Sequence, residues 1–248
     1  MLTHPFKIAL VTGANRGIGF EISRQLSEKG IHVFLTGRNS EATIQAAKKL
    51  QNQGLKVEPL ILDVTQPNTI AAAVSVVTSK YGYLDILVNN AGIRVEQYGK
   101  QPSEQSLSEW RKTFDTNLFG LVEVTIAFLP LIHKSQAGRI VNVSSLLASL
   151  NKHSNPDSYI YSDTFKALPA YSASKSAINS WTVHLAYELR NTAIKVNAVH
   201  PGYTKTDMNE GAGILEISEG AKTSVKMALI DQTGPTGSYV HMDEVLPW

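Results

Sequence analysis

The sequence predicts an α/β fold in which residues 1–248 form one doubly wound domain, a parallel seven-stranded sheet with helices on both faces. Three observations point there. Short continuous apolar runs alternate along the chain with stretches whose apolar residues recur every three or four positions, the order that builds βαβ units. The first apolar run leads straight into clustered glycines and then a helix. No internal repeat or linker divides the 248 residues, a length that suits one α/β domain with a sizeable core.

Composition narrows the classes of function. With 43% hydrophobic and 18% charged residues the chain has the make-up of a soluble globular protein. A net charge of +2 argues against nucleic acid or an acidic membrane as main partner and favours small ligands. The lack of cysteine excludes disulfides, thiolate zinc sites and cysteine nucleophiles. The seven histidines are scattered, with no pair at ligand spacing on a helix, so no metal site is expected. The first strand pattern begins near Phe6, which leaves no space for a signal peptide. No uninterrupted apolar run approaches the roughly 20 residues of a membrane span, and a cytoplasmic protein is expected.

Residues 7–12 are a continuous apolar run of the kind buried on both faces of a parallel sheet. Gly13, Gly17 and Gly19 follow in the pattern T-G-x-x-x-G-x-G, and Ile18, Ile22 and Leu26 recur every fourth position up to Gly30, a helix stop. Glycines let a backbone approach a pyrophosphate, and a helix N-terminus offers free N–H groups and a positive dipole end. Strand, turn and helix thus form a dinucleotide cradle. Residues 32–36 are the second strand, after which an acidic residue would normally bind the adenine ribose 2′-hydroxyl. Here the strand ends in Thr36-Gly37-Arg38. With Arg16 inside the turn, two guanidiniums and no carboxylate favour a 2′-phosphate, and so NADPH over NADH.

Residues 57–64 are a third strand, ending in Leu62-Asp63-Val64. Asp63 fits two roles equally, acceptor for the adenine amino group or cap of the next helix, with Pro67 close behind. Residues 70–80 supply the crossover helix. Residues 84–88 are a fourth strand running into Asn89-Asn90-Ala91-Gly92, where small residues and amides let a ribose lie close to the backbone. Residues 104–130 form a long, irregular helix with Asn117 in its middle, where asparagine is unfavourable on propensity. The fifth strand, 138–145, carries two hydroxyls at its carboxyl end, where open α/β sheets bind ligands. Ser145 either ends that strand or polarises a substrate carbonyl. Residues 146–168 are a connection too long to lack a role or structure of its own, and Tyr159, Tyr161 and Phe165 in it wall a pocket or cover an oligomer face. A sixth strand at 193–199 precedes the Pro201-Gly202 turn, which brings Thr204 and Thr206 within reach of a nicotinamide amide. Residues 218–229 form a helix and 237–242 the last strand.

These elements are organised around Tyr171-Ser172-Ala173-Ser174-Lys175. Pro169 suits a helix start, and Ala173, Ala177, Leu185 and Leu189 keep a period near 3.6. Positions i and i+4 share a helix face, so Lys175 lies beside Tyr171. Unit charges about 5 Å apart at an effective dielectric of about 20 interact by roughly 3 kcal/mol. On that basis Lys175 lowers the tyrosine pKa into acid–base range.

With TGANRGIG at 12–19, LDV at 62–64, NNAG at 89–92, Asn117, VNVSS at 141–145, YSASK at 171–175 and PGYTKT at 201–206 in this order, the chain resembles the short-chain dehydrogenase/reductase family over essentially its whole length. The resemblance implies a Rossmann fold of the short, non-extended branch and a catalytic group of Asn117, Ser145, Tyr171 and Lys175. It implies that NADP(H) is bound by Gly13, Asn15, Arg16, Gly17, Ile18, Gly19, Arg38, Asp63, Val64, Asn90, Ala91, Gly92, Tyr171, Lys175, Pro201, Gly202, Thr204 and Thr206. Lys175 would hold the nicotinamide ribose, and Asn117 a water that relays protons to it. Residues 153–168 look like an insertion. Together with Arg16, Arg38, Gly234-Pro235-Thr236-Gly237 and Pro247-Trp248 it resembles the carbonyl reductases, some of which are monomeric because the insertion covers their pairing helices. Its intermediate length leaves monomer and homo-oligomer open. Arg94, Leu147, Tyr159, Tyr161 and Tyr203 are the candidate pocket residues. The expected activity is NADPH-dependent reduction of a ketone or aldehyde, with a small-molecule carbonyl as partner. The alternatives are an NAD-dependent alcohol or steroid dehydrogenase and a non-catalytic NADP-sensing protein.

Overall fold

The computed structural model describes residues 6–248. The chain runs β1 (Ile8–Val11), α1 (Gly17–Glu28), β2 (His32–Gly37), α2 (Ser40–Gln51), β3 (Val57–Ile61), α3 (Pro67–Lys80) and β4 (Ile86–Asn89). It continues with α4 (Leu107–Phe114), α5 (Gly120–Ile132), β5 (Arg139–Val143), α6 (Leu150–Ser154), α7 (Asp163–Lys166) and α8 (Pro169–Glu188). Then come β6 (Lys195–Val199), α9 (Ile217–Gly220), α10 (Lys222–Ala228), β7 (Tyr239–His241) and β8 (Glu244–Val245). The strand order is β3-β2-β1-β4-β5-β6-β7-β8. Order reverses between β1 and β4, and in open α/β sheets the crevice beyond such a switch point is where ligands bind.

Side-chain alternation along each strand builds two cores. Ile8, Leu10, Phe34, Leu87 and Ile140 face α3, α5 and α8, meeting Ile70, Val77, Val124, Phe128 and Leu185. Ala9, Val11, Val33, Leu35 and Val141 point the other way, onto Ile22, Leu26, Ala47, Leu50 and Val225. All four β1 side chains are fully buried, which explains why that strand reads as a continuous apolar run rather than an alternation. A third cluster lies beyond the strand ends, where Ile160 and Leu168 of the long connection cover Leu146, Leu147 and Tyr239, with Phe165 and Tyr171 against them.

The structure departs from the predicted seven parallel strands by one. Among the described residues there are eight, and β8 pairs antiparallel with β7 (Val240↔Val245, His241↔Glu244) after a tight turn with Met242 at φ +54°. A two-residue strand is too short to leave a periodic signal. The long helix is irregular as expected. A Ser106–Glu109 capping box starts α4, and Asp115–Phe119 form one π-helical segment before α5. The continuous helix Leu107–Ile132, 26 residues with a mean hydropathy of 1.4, is long and apolar enough to cross a membrane. Here Val124, Phe128, Leu131 and Ile132 complete the core.

Candidate active site

The glycine turn lies against the end of β4. Gly13 (φ +61°) leaves no room for a Cβ, which would stand 2.9 Å from the Ala91 Cα, and Gly19 is packed just as tightly against Asn90 and the Gly13 carbonyl. Asn90 braces the turn, its amide donating to the Thr12 and Gly13 carbonyls at 2.9 and 3.1 Å. The Thr12 hydroxyl accepts from the N–H groups of Asn90 and Ala91. Gly17 (φ +59°), by contrast, faces open space. At the start of α1, Arg16 provides no side-chain cap and the first turn holds no acidic residue, so its N–H groups and dipole end face the turn unopposed. This cradle fits a dinucleotide pyrophosphate.

Around the adenine end the predicted residues diverge. Arg38 is exposed just past β2 with no hydrogen-bond or ion-pair partner among the described residues. Arg16 instead reaches Asp207 at 3.0 Å, both side chains largely exposed. Asp63 closes a turn by accepting from the Thr65 N–H and hydroxyl at 2.9 and 2.8 Å, while Gln66 precedes α3. The helix-cap reading of Asp63 is therefore corrected: the carboxylate bonds two residues on, short of the helix. Val64 is buried where Gly120 lets α5 approach.

At the centre, β5 delivers Ser145 and the first turn of α8 delivers Tyr171. The phenol and the Ser145 hydroxyl line the same cleft, close enough for Ser145 to pull the phenol pKa down. Ser145 is itself fixed from behind, its Oγ accepting from the Leu147 N–H at 3.3 Å and its carbonyl accepting from the Tyr239 hydroxyl. Lys175 is 3% exposed, 5.6 Å from the Tyr171 ring centroid, and donates to the Val143 carbonyl at 2.8 Å.

The electrostatics correct the expectation that Lys175 brings the phenol down. Burial pushes Tyr171 up to about 12, and the opposing pull comes from Ser145 and the Arg94 guanidinium. The same dry surroundings depress Lys175 to about 8. Two groups that share a desolvated site are each driven toward neutrality.

Asn117 lies inside the π-helical segment, buried. Its Oδ1 accepts from the Ile93 N–H at 2.8 Å, and its Nδ2 donates to the Ile93 carbonyl and Ser174 Oγ at 2.9 and 3.0 Å. The side chain clamps the loop after β4 to α8. Gly92 lies between these groups, and a Cβ there would sit 3.4 Å from both Asn117 Oδ1 and Lys175 Nζ. Thr204 is turned inward, its hydroxyl within 3.3 Å of the Pro201 and Gly202 carbonyls. Pro201, Gly202, Thr204 and Thr206 line the cleft together with Ile18.

That cleft, of about 120 Å³, is also lined by Arg94, Leu147, Tyr159 and Tyr203 among the predicted pocket residues. Tyr161 is not part of it. It is half exposed, with the Lys166 ammonium 5.0 Å from its ring centroid. Phe165 meets Tyr159 and Tyr203 edge-on at 5.8 and 5.7 Å, so the long connection walls the pocket. Arg94 stacks on Tyr98 at 4.3 Å and donates to the Met208 carbonyl at 3.1 and 2.6 Å, tying the two rims together.

Sequence reasoning missed several contributors. His200 is buried and accepts from the Leu146 N–H through Nδ1 at 3.1 Å, which orders the Ser145 loop. Burial holds its pKa down at about 3, so it stays neutral. Its place directly after β6, at a strand's carboxyl end, was the available signal. Glu96, Tyr98, Met208 and Tyr239 carried none.

Comparison with known proteins matches the short chain dehydrogenase family over residues 7–214. Salutaridine reductase of Papaver bracteatum is 33% identical over 298 aligned positions, covering 96% of this chain and 95% of its own. Short-chain dehydrogenase/reductase 1 of Saponaria officinalis is 33% identical over 294, covering 98% and 96%. Both alignments exceed the chain's 248 residues, so these relatives carry stretches that it lacks. The solved structure of NADPH-bound carbonyl reductase from chicken fatty liver superposes with a TM-score of 0.85 at 27% identity, covering 98% of this chain and 99% of that one.

Proposed function

This chain belongs to the short-chain dehydrogenase family, and from that premise we propose that it reduces the carbonyl of a ketone or aldehyde with NADPH as reductant. The observation that carries the reading is the convergence of Tyr171 and Ser145 on one cleft, with the buried Lys175 ammonium 5.6 Å from the phenol ring. NADPH, when bound, supplies the hydride. Gly13, Gly17 and Gly19 with the N-terminus of α1 would hold its pyrophosphate, and Arg38 its 2′-phosphate. Ser145 holds the carbonyl oxygen as negative charge develops on it. Tyr171 gives its proton to that oxygen, and Lys175 replaces the proton on the phenolate.

Burial holds the phenol up at about 12, so at neutral pH it is protonated, the form that gives its proton to the carbonyl oxygen. The NADPH-bound neighbour supports the cofactor choice. One feature favours an NAD-dependent dehydrogenase instead: Arg16 is paired with Asp207, which leaves Arg38 alone to attract a 2′-phosphate.

The test follows loss of NADPH absorbance against a panel of aldehydes and ketones, beside NADH and the Tyr171→Phe protein. We expect turnover with NADPH and a fall in kcat of about a hundredfold or more in the variant. Full activity in Tyr171→Phe would sink the mechanism. Preference for NADH would move the assignment to the dehydrogenase.

A further inference from the structure

We infer that Glu96 is a positioning residue for Tyr171: from the loop after β4 its buried carboxylate caps the first turn of α8 and so holds the phenol against Ser145. The inference rests on the reductase reading given above.

Helix α8 opens without a cap of its own. Its flanking residue is Leu168, which has no side-chain acceptor, and no local side chain bonds to the first turn. A helix start leaves its first N–H groups without intrahelical partners, and a cap normally satisfies one of them. Here the partner comes from 75 positions earlier in the chain. Glu96 Oε1 accepts from the Tyr171 N–H at 2.6 Å, a short bond of the charge-assisted kind.

The carboxylate sits where a carboxylate is costly. Glu96 is 4% exposed, and its Oε2 has no hydrogen-bond partner among the described residues. A buried charge without full pairing destabilises a fold, and the positive end of the α8 dipole offsets only part of that. Leu168 cannot give way to a polar cap cheaply, because it is itself buried in the third cluster.

What Glu96 adds is a tie between two parts of the site. The same loop is clamped at Ile93 by Asn117, which also donates to Ser174. Tyr171 and Ser174 are three apart on one helix face. The loop is therefore stitched to α8 at two adjacent points, one of them the backbone of the proton donor itself. Arg94, between the two stitches, pulls on the phenol from the same loop.

Glu96→Gln keeps an acceptor for the Tyr171 N–H, and Glu96→Ala removes it. We expect Glu96→Ala to lower kcat by between about tenfold and a hundredfold through misalignment of the acid, with KM and the NADPH dissociation constant little changed. Glu96→Gln should restore most of kcat. Independently of any substrate, the carbon-13 resonance of the Tyr171 Cζ, assigned with Tyr171→Phe, should shift or broaden in Glu96→Ala and return in Glu96→Gln. If Glu96→Ala keeps both its kcat and the Tyr171 resonance, the inference is overturned. Absence of turnover in the unaltered protein would overturn the reductase reading, and the resonance alone would then decide the role of Glu96.

Discussion

Between β1 and β4 the floor of the cleft is backbone. Gly13 and Gly19 are pressed against the β4 end, and the surface that remains is N–H groups and a helix dipole. Across the cleft, between the Ser145 loop and the segment after β6, the wall is side chains: Tyr159, Phe165 and Tyr203 edge to face, and Arg94 reaching over to Met208. A backbone surface tolerates little change, because a single Cβ collides with main chain that cannot yield. A side-chain wall can be rebuilt one residue at a time. The first suits a ligand of fixed shape, the second a substrate that differs from relative to relative.

Lys175 sits at the junction, and replacing it gives the largest expected effect. Its folded-state pKa of about 8 lies below the ordinary 10.5, so the folded protein binds its proton less well than the unfolded chain does. The penalty is fully present below pH 8 and disappears as pH rises from about 8 to 10.5. Lys175→Met should therefore lose nearly all turnover yet gain up to about 3 kcal/mol of stability at pH 7, less what the lost bond to the Val143 carbonyl contributed. Denaturant unfolding at pH 7 and pH 10 checks this, and the gain should shrink at the higher pH. A less stable variant at pH 7 would show that the ammonium is better solvated than its burial indicates.

On the backbone side, Gly19→Val puts a branched side chain against Gly13 and Asn90. Strain of roughly 1–3 kcal/mol should weaken NADPH binding by up to about a hundredfold, read by fluorescence titration, while a free carbonyl-site inhibitor binds as before. If both ligands weaken together, the two sides of the cleft are not independent. Arg38→Asp should act more narrowly, weakening NADPH by about tenfold or somewhat more and leaving NADH nearly unchanged. Equal loss for both cofactors would remove Arg38 from the 2′-phosphate site.

The same contrast explains what could be read from the chain. The glycine turn, the alternation of strands and helices, and Ser145, Tyr171 and Lys175 were legible because their spacing is local: a turn, a strand end, one helical turn. What those groups do to one another was not. Lys175 and Tyr171 are correctly one turn apart, but spacing carries no measure of burial, and burial moved both pKa values away from the charged forms. Asn117 stood out as a misfit in a helix, yet its partner Ile93 lies on another element. Glu96, His200 and Tyr239 act across 75, 54 and 94 positions, and nothing in the sequence joins those distances.

The smallest effect separates two neighbouring tyrosines that sequence treats alike. Both are half exposed, but Tyr159 lines the cleft beside Phe165 and Tyr203. Tyr161 points to solvent under Lys166. Tyr159→Ala removes one wall of a T-shaped cluster, and aromatic pairs of that kind contribute about 0.5–1.5 kcal/mol beyond their buried area. The expected result is a KM raised by about threefold to tenfold for bulky ketones, with kcat and the NADPH dissociation constant held, because neither Ser145 nor the glycine turn touches that ring. Tyr161→Ala should change none of the three. Should both variants raise KM alike, the long connection would be acting through its fold and not through the face that Tyr159 presents to the pocket.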